Sequence, residues 1–80
     1  MGKHGNTLDQ IRRLHGGLDW KKVEALLKYL GAELYEGAGS TVTFVVGDLK
    51  LTVDRPHPRT ECGRGLVKRV RAFLEALGEL

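Results

Sequence analysis

The sequence predicts an α+β fold: α-β-β-β-α, with a three-stranded antiparallel sheet covered on one face by two helices and preceded by a short N-terminal helix. Three observations carry that expectation. Thr41–Val46 and Leu49–Val53 are runs rich in β-branched residues, joined by Gly47-Asp48, a two-residue turn with glycine first. On either side of the strands, Val23 to Leu30 and Leu66 to Leu77 repeat apolar side chains at helical spacing. The paired strands put their apolar side chains on one face, and such a face needs a helical layer to bury it.

Taken in order, Asn6 or Thr7 opens the short helix, because Thr7-x-x-Gln10 matches the reciprocal capping box. Leu8, Ile11 and Leu14 follow at helical spacing, and Gly16-Gly17 stops the run. Asp19 is the next N-cap, with Leu18 and Val23 in the two positions of a hydrophobic staple. Val23, Leu26, Leu27 and Leu30 form the stripe of a helix over residues 20–30, and Gly31 suits its left-handed end. Glu33-Leu34-Tyr35 is a brief strand closed by the loop Gly37-Ala38-Gly39-Ser40.

The Gly47-Asp48 turn fixes the register of the hairpin. Val46 opposes Leu49, Phe44 opposes Leu51, Val42 opposes Val53, and Thr41 opposes Asp54. Thr43, Val45, Lys50 and Thr52 are left on the other, mostly polar face. The last helix begins near Gly65 and presents Leu66, Val67, Val70, Phe73, Leu74 and Leu77 as one apolar face, with Gly78 as terminator. Residues 1–18 read as an N-terminal extension with a short helix, and residues 19–80 as the domain proper. Eighty residues allow only one core.

Composition narrows the setting. No apolar run approaches the ~18–20 residues that span a bilayer. No apolar stretch follows Met1, so a secretory signal is not expected, and Cys62 is the only cysteine. These features point to the cytoplasm and away from membranes. The formal net charge is +3, but residues 54–71 alone carry six basic side chains against Asp54 and Glu61. Concentrated positive charge attracts polyanions; a solvated helix face is the plain alternative.

The chemistry gathers in Asp54-Arg55-Pro56-His57-Pro58-Arg59. Two prolines restrict the backbone around one imidazole, and an arginine lies on each side. Histidine titrates near neutral pH and serves as general acid or base, while arginine forks suit phosphate oxygens. The set suits cleavage of a phosphodiester by the neighbouring 2′-hydroxyl, which needs proton transfer but no metal. The alternative is a rigid loop with a structural histidine. No zinc-ligand spacing is present, since His57, Glu61 and Cys62 are close in sequence but His4 and His15 are distant. No metal and no cofactor are therefore expected. Cys62 has no evident base beside it, and Trp20 reads as a partly buried anchor rather than a stacking platform.

The order Val23-Glu24-Ala25-Leu26-Leu27-Lys28-Tyr29-Leu30-Gly31, then Gly39-Ser40, then Arg55-Pro56-His57-Pro58, then a helix from Gly65 to Gly78 resembles the HicA family. These are the small toxins of type II toxin–antitoxin pairs. The resemblance covers about three quarters of the chain, from Trp20 onward. It implies a fold similar to double-stranded-RNA-binding domains, cleavage of messenger RNA, and neutralisation by a HicB-type antitoxin. In much of the family a histidine directly follows the Gly-Ser pair and is taken as catalytic; here that position is Thr41. A threonine hydroxyl does not act as a general base near neutral pH.

The expectation is thus an endoribonuclease with His57 as general acid or base. Arg55, Arg59, Arg64, Lys68 and Arg69 contact RNA, and Gly39, Ser40 and Thr41 form the active-site loop. Because Thr41 opposes Asp54, the loop holding His57 should return to Gly39-Ser40. The second reading is a non-catalytic module that binds RNA or antitoxin, and homodimerisation is left open. A DNA-binding regulator ranks last, as no helix-turn-helix pattern is evident.

Overall fold

Asp19 accepts a hydrogen bond from the Lys21 backbone N–H at 3.0 Å, and the chain turns from extended to helical there. That cap separates two elements of the computed structural model, which describes residues 3–56 and 60–80. In chain order these are α1 (Lys3–Arg12), β1 (Leu18–Asp19), α2 (Trp20–Tyr29), β2 (Glu33–Glu36), β3 (Thr41–Val46), β4 (Leu49–Asp54), β5 (Glu61–Cys62) and α3 (Arg64–Ala76). Strands β2, β3 and β4 form an antiparallel sheet in that order. The expected α+β architecture is present.

The hairpin has the register that its turn dictates: Val46 opposite Leu49, Phe44 opposite Leu51, Val42 opposite Val53 and Thr41 opposite Asp54. Gly47 has φ +57° and Asp48 does not share the left-handed region, as a turn with glycine first requires. Val42, Phe44, Leu51 and Val53 are buried beneath the helices, whereas Leu49, nearest the turn, is exposed. On the open face Thr43 and Thr52 share a hydroxyl hydrogen bond of 3.0 Å. Trp20 of α2 meets Phe44 with ring centroids 5.9 Å apart, and α3 packs along β4.

Three features differ from the sequence expectation: the start of α1, a short additional ladder and the residue that ends α1. Helix α1 begins at Lys3, not at Asn6 or Thr7. Thr7 is inside the helix and buried, in line with His4 and Ile11, and His4 stacks on Tyr29 of α2 at 4.6 Å. Burial of that stripe stabilises the additional turn before Thr7. The helix packs against α2 and α3, and Ile11 is fully buried in the common core with Leu26, Leu27, Phe44 and Leu74. Second, β1 and β5 pair as a two-residue ladder, Leu18 with Cys62 and Asp19 with Glu61, joining the starts of α2 and α3.

All three helices close with the same motif of crossed backbone bonds. Leu14, Gly31 and Gly78 take the left-handed position, and the next residue donates to a carbonyl five positions back. Gly16-Gly17 was the expected stop for α1, but Leu14 at φ +58° makes the turn instead. Its side chain packs against the core, which offsets a backbone cost of about 1–2 kcal/mol. Among the described residues, no helix is long and apolar enough to cross a membrane.

Candidate functional site

Gly39, Ser40, Arg55 and Pro56 line one hollow at the end of the hairpin opposite Gly47. Two features bring them together. Between β2 and β3 the chain folds tightly: Gly37 N–H donates to the Thr41 carbonyl at 2.8 Å, Thr41 N–H to the Ala38 carbonyl at 3.3 Å, and Gly39 takes φ +64°. The hairpin pairing then continues one residue beyond β4, with Arg55 N–H donating to the Ser40 carbonyl at 2.8 Å. The arginine-proline segment is thereby held against the glycine-serine turn.

Arg55 is also held by its side chain. One guanidinium nitrogen lies 3.3 Å from Glu36 Oε2 and 3.8 Å from Glu24 Oε1. Glu24 accepts from Trp20 Nε1 at 2.9 Å, and its other oxygen is 3.2 Å from Lys28 Nζ. The segment leaving β4 is thus tied to β2 and α2 at once. Next to it, Thr41 Oγ1 donates to Asp54 Oδ1 at 3.0 Å. Asp54 stands opposite Thr41 as the register predicts, whereas Glu24 and Glu36 are acidic members of this site that residue-by-residue reading did not single out. The Trp20–Glu24–Lys28 series has readable helical spacing, but its meeting with Arg55 depends on the fold.

The other sequence-identified residues divide. Gly39, Ser40, Thr41 and Arg55 are gathered at the hairpin end. His57 and Arg59 lie outside the described residues, with Pro58. Arg64 opens α3 with its aliphatic stem against Gly16, and Lys68 follows one turn later on the same exposed face. Arg69 is on another flank of the helix, where it borders a shallow groove with Leu49, Lys50 and Ala72. Lys68 and Arg69 therefore face different surroundings despite being neighbours in sequence.

Cys62 is buried, and burial first, then the Asp19 carboxylate, pushes its thiol up to about 11. At neutral pH it is a packed thiol and not a nucleophile. The Glu33 carboxylate, which accepts from the Tyr35 hydroxyl at 2.9 Å, raises the Tyr35 phenol by hydrogen bonding and by charge. Trp20 is a buried anchor, as expected. Among the described residues, no group of three or more His, Cys, Asp or Glu is arranged to hold a metal ion.

A family model described as the HicA toxin of bacterial toxin–antitoxin pairs matches residues 20–78. The match takes in α2, the three-stranded sheet and α3, and leaves α1 outside. Neither the curated proteins nor the solved structures contain a match.

Proposed function

The chain belongs to the HicA family of toxins from bacterial toxin–antitoxin pairs, and from that premise we propose that it binds messenger RNA and cuts it by metal-independent acid–base chemistry. The observation that carries this reading is the 2.8 Å bond from Arg55 N–H to the Ser40 carbonyl. It brings the arginine-proline segment to the glycine-serine turn, beside which the family often carries its histidine. His57 follows Pro56 directly, and two residues of chain reach no farther than about 7 Å. In this reading His57 serves the hollow from the loop, a role that the Thr41 hydroxyl cannot take near neutral pH.

In the proposed reaction His57 takes the proton of the RNA 2′-hydroxyl. The 2′-oxygen forms a bond to phosphorus, the bond from phosphorus to the 5′-oxygen breaks, and the leaving oxygen takes a proton from water while His57 releases its own to solvent. The products are a 2′,3′-cyclic phosphate and a 5′-hydroxyl. Arg59 and Arg55 face the phosphate oxygens. Arg55 must exchange Glu36 for phosphate, and an exposed ion pair of that kind is worth only about 0–1 kcal/mol, so the exchange costs little. Arg64, Lys68 and Arg69 guide the backbone, acting in the cytoplasm, and a HicB-type antitoxin is the protein partner.

A second reading, RNA binding without cleavage, is favoured by one observation: the hydroxyl at the family's histidine position is engaged with Asp54. Incubation of purified protein with long messenger RNA, beside His57→Ala, separates the two. Fragmentation by the wild type alone supports the enzyme. RNA that is bound but intact in both leaves the binding module, and equal cutting by both removes His57 as catalyst.

A further inference from the structure

Helix α1 precedes the family match, yet it builds a cleft of its own. Between α1 and the start of α2 lies an open cavity of about 640 Å³, lined chiefly by His4, Asn6, Gln10, His15, Lys21 and Lys22. That volume falls within the ~300–1,000 Å³ typical of ligand clefts. Ammonium groups, imidazoles and side-chain amides all supply donors suited to anionic oxygen. The single carboxylate among the described lining residues, Asp9, is paired with Arg12 at the end of α1 at 3.4 Å and with Arg13 in the turn after it at 3.2 Å. Lys21 and Lys22 are exposed and form no ion pair among the described residues.

The cleft is placed to continue the basic end of the molecule. Trp20 N–H, one residue before Lys21, donates to the Thr60 carbonyl at 2.7 Å, so the start of α2 adjoins the chain returning from the arginine-proline loop. Gly16, one residue after His15, packs under the Arg64 side chain. The α2 backbone terminus is already capped by Asp19, so the site consists of side chains and not of a free helix end. Among the described residues that line it, Ala25 is the one with an apolar side chain, and the others carry polar or charged groups.

We propose that the cleft between α1 and α2 is a second phosphate-binding subsite for RNA, so that the N-terminal helix lengthens the RNA track beyond the hairpin hollow. The proposal rests on the RNA-binding reading above. Each lysine that neutralises a phosphate adds about 0.7–0.9 to the slope of log affinity against log salt.

The test is fluorescence anisotropy of a labelled RNA duplex across a salt series, with the wild type, Lys21→Ala/Lys22→Ala and the charge-matched Lys50→Ala/Arg71→Ala, each checked for folding by circular dichroism. The expected result is roughly tenfold weaker binding near 0.1 M salt and a slope reduced by about 1.5 for the cleft variant, with a markedly smaller change for the charge-matched one. Equal effects of the two variants would reduce the cleft to net charge and overturn the subsite. Unchanged affinity of the cleft variant would overturn it while leaving RNA binding intact. Loss of polyglutamate binding without loss of RNA binding would assign the cleft to an acidic protein instead. A wild type that binds no RNA removes the functional reading and this subsite together.

Discussion

Thr41 donates its hydroxyl hydrogen to Asp54 across the end of the hairpin, Oγ1 to Oδ1 3.0 Å. A carboxylate therefore already faces the position at which related toxins often carry histidine. An imidazole placed there would find a partner able to hold one tautomer and stabilise its charged form. Thr41→His introduced into His57→Ala is expected to restore RNA cleavage by about 10²-fold over the single variant, measured as initial rate on one labelled RNA. A silent double variant would show that Asp54 does not orient a base at that position.

Helix α1 is part of the core although it precedes the matched segment. Ile11→Ala is expected to destabilise the chain by about 2–5 kcal/mol, as for other fully buried aliphatic side chains. In a domain this small each kcal/mol lowers the melting temperature by roughly 4–8 °C. An unchanged thermal melt would mean that α1 does not dock.

The buried Cys62 thiol gives a pH signature. Its folded value is about 11 against an ordinary 9.0, so between those values the unfolded chain releases a proton that the folded chain keeps. Stability from this group is fully present below pH 9 and is lost as pH rises through about 11. Urea titrations should show wild type losing more stability than Cys62→Ala over that window, and native thiol should react slowly with an alkylating reagent at pH 8. Parallel stability curves would contradict the burial argument.

The hairpin was legible because Gly47 leaves one register open and that register puts four buried side chains on one face. Helix α2 was legible because Asp19, the Val23–Leu27 stripe and Gly31 agree on both of its ends. The β1–β5 ladder was not, because two residues have no periodicity and Leu18 and Asp19 also read as a helix cap. The start of α1 was missed because a plausible cap at Thr7 competed with a buried stripe that appears only once α2 is in place. At the site, the basic and glycine residues were visible as a motif. The carboxylates that hold Arg55 were not, since Glu24 and Glu36 reach it from two other elements.

The identity of the RNA ends tests the account most directly. RNA incubated with the protein in the presence of a chelator, then treated with polynucleotide kinase and labelled ATP, should show new 5′-hydroxyl ends with wild type and none with His57→Ala. Intact RNA, or ends that carry 5′-phosphate and appear only when magnesium is supplied, would contradict cleavage by the 2′-hydroxyl under a histidine in the loop that Arg55 anchors to Ser40.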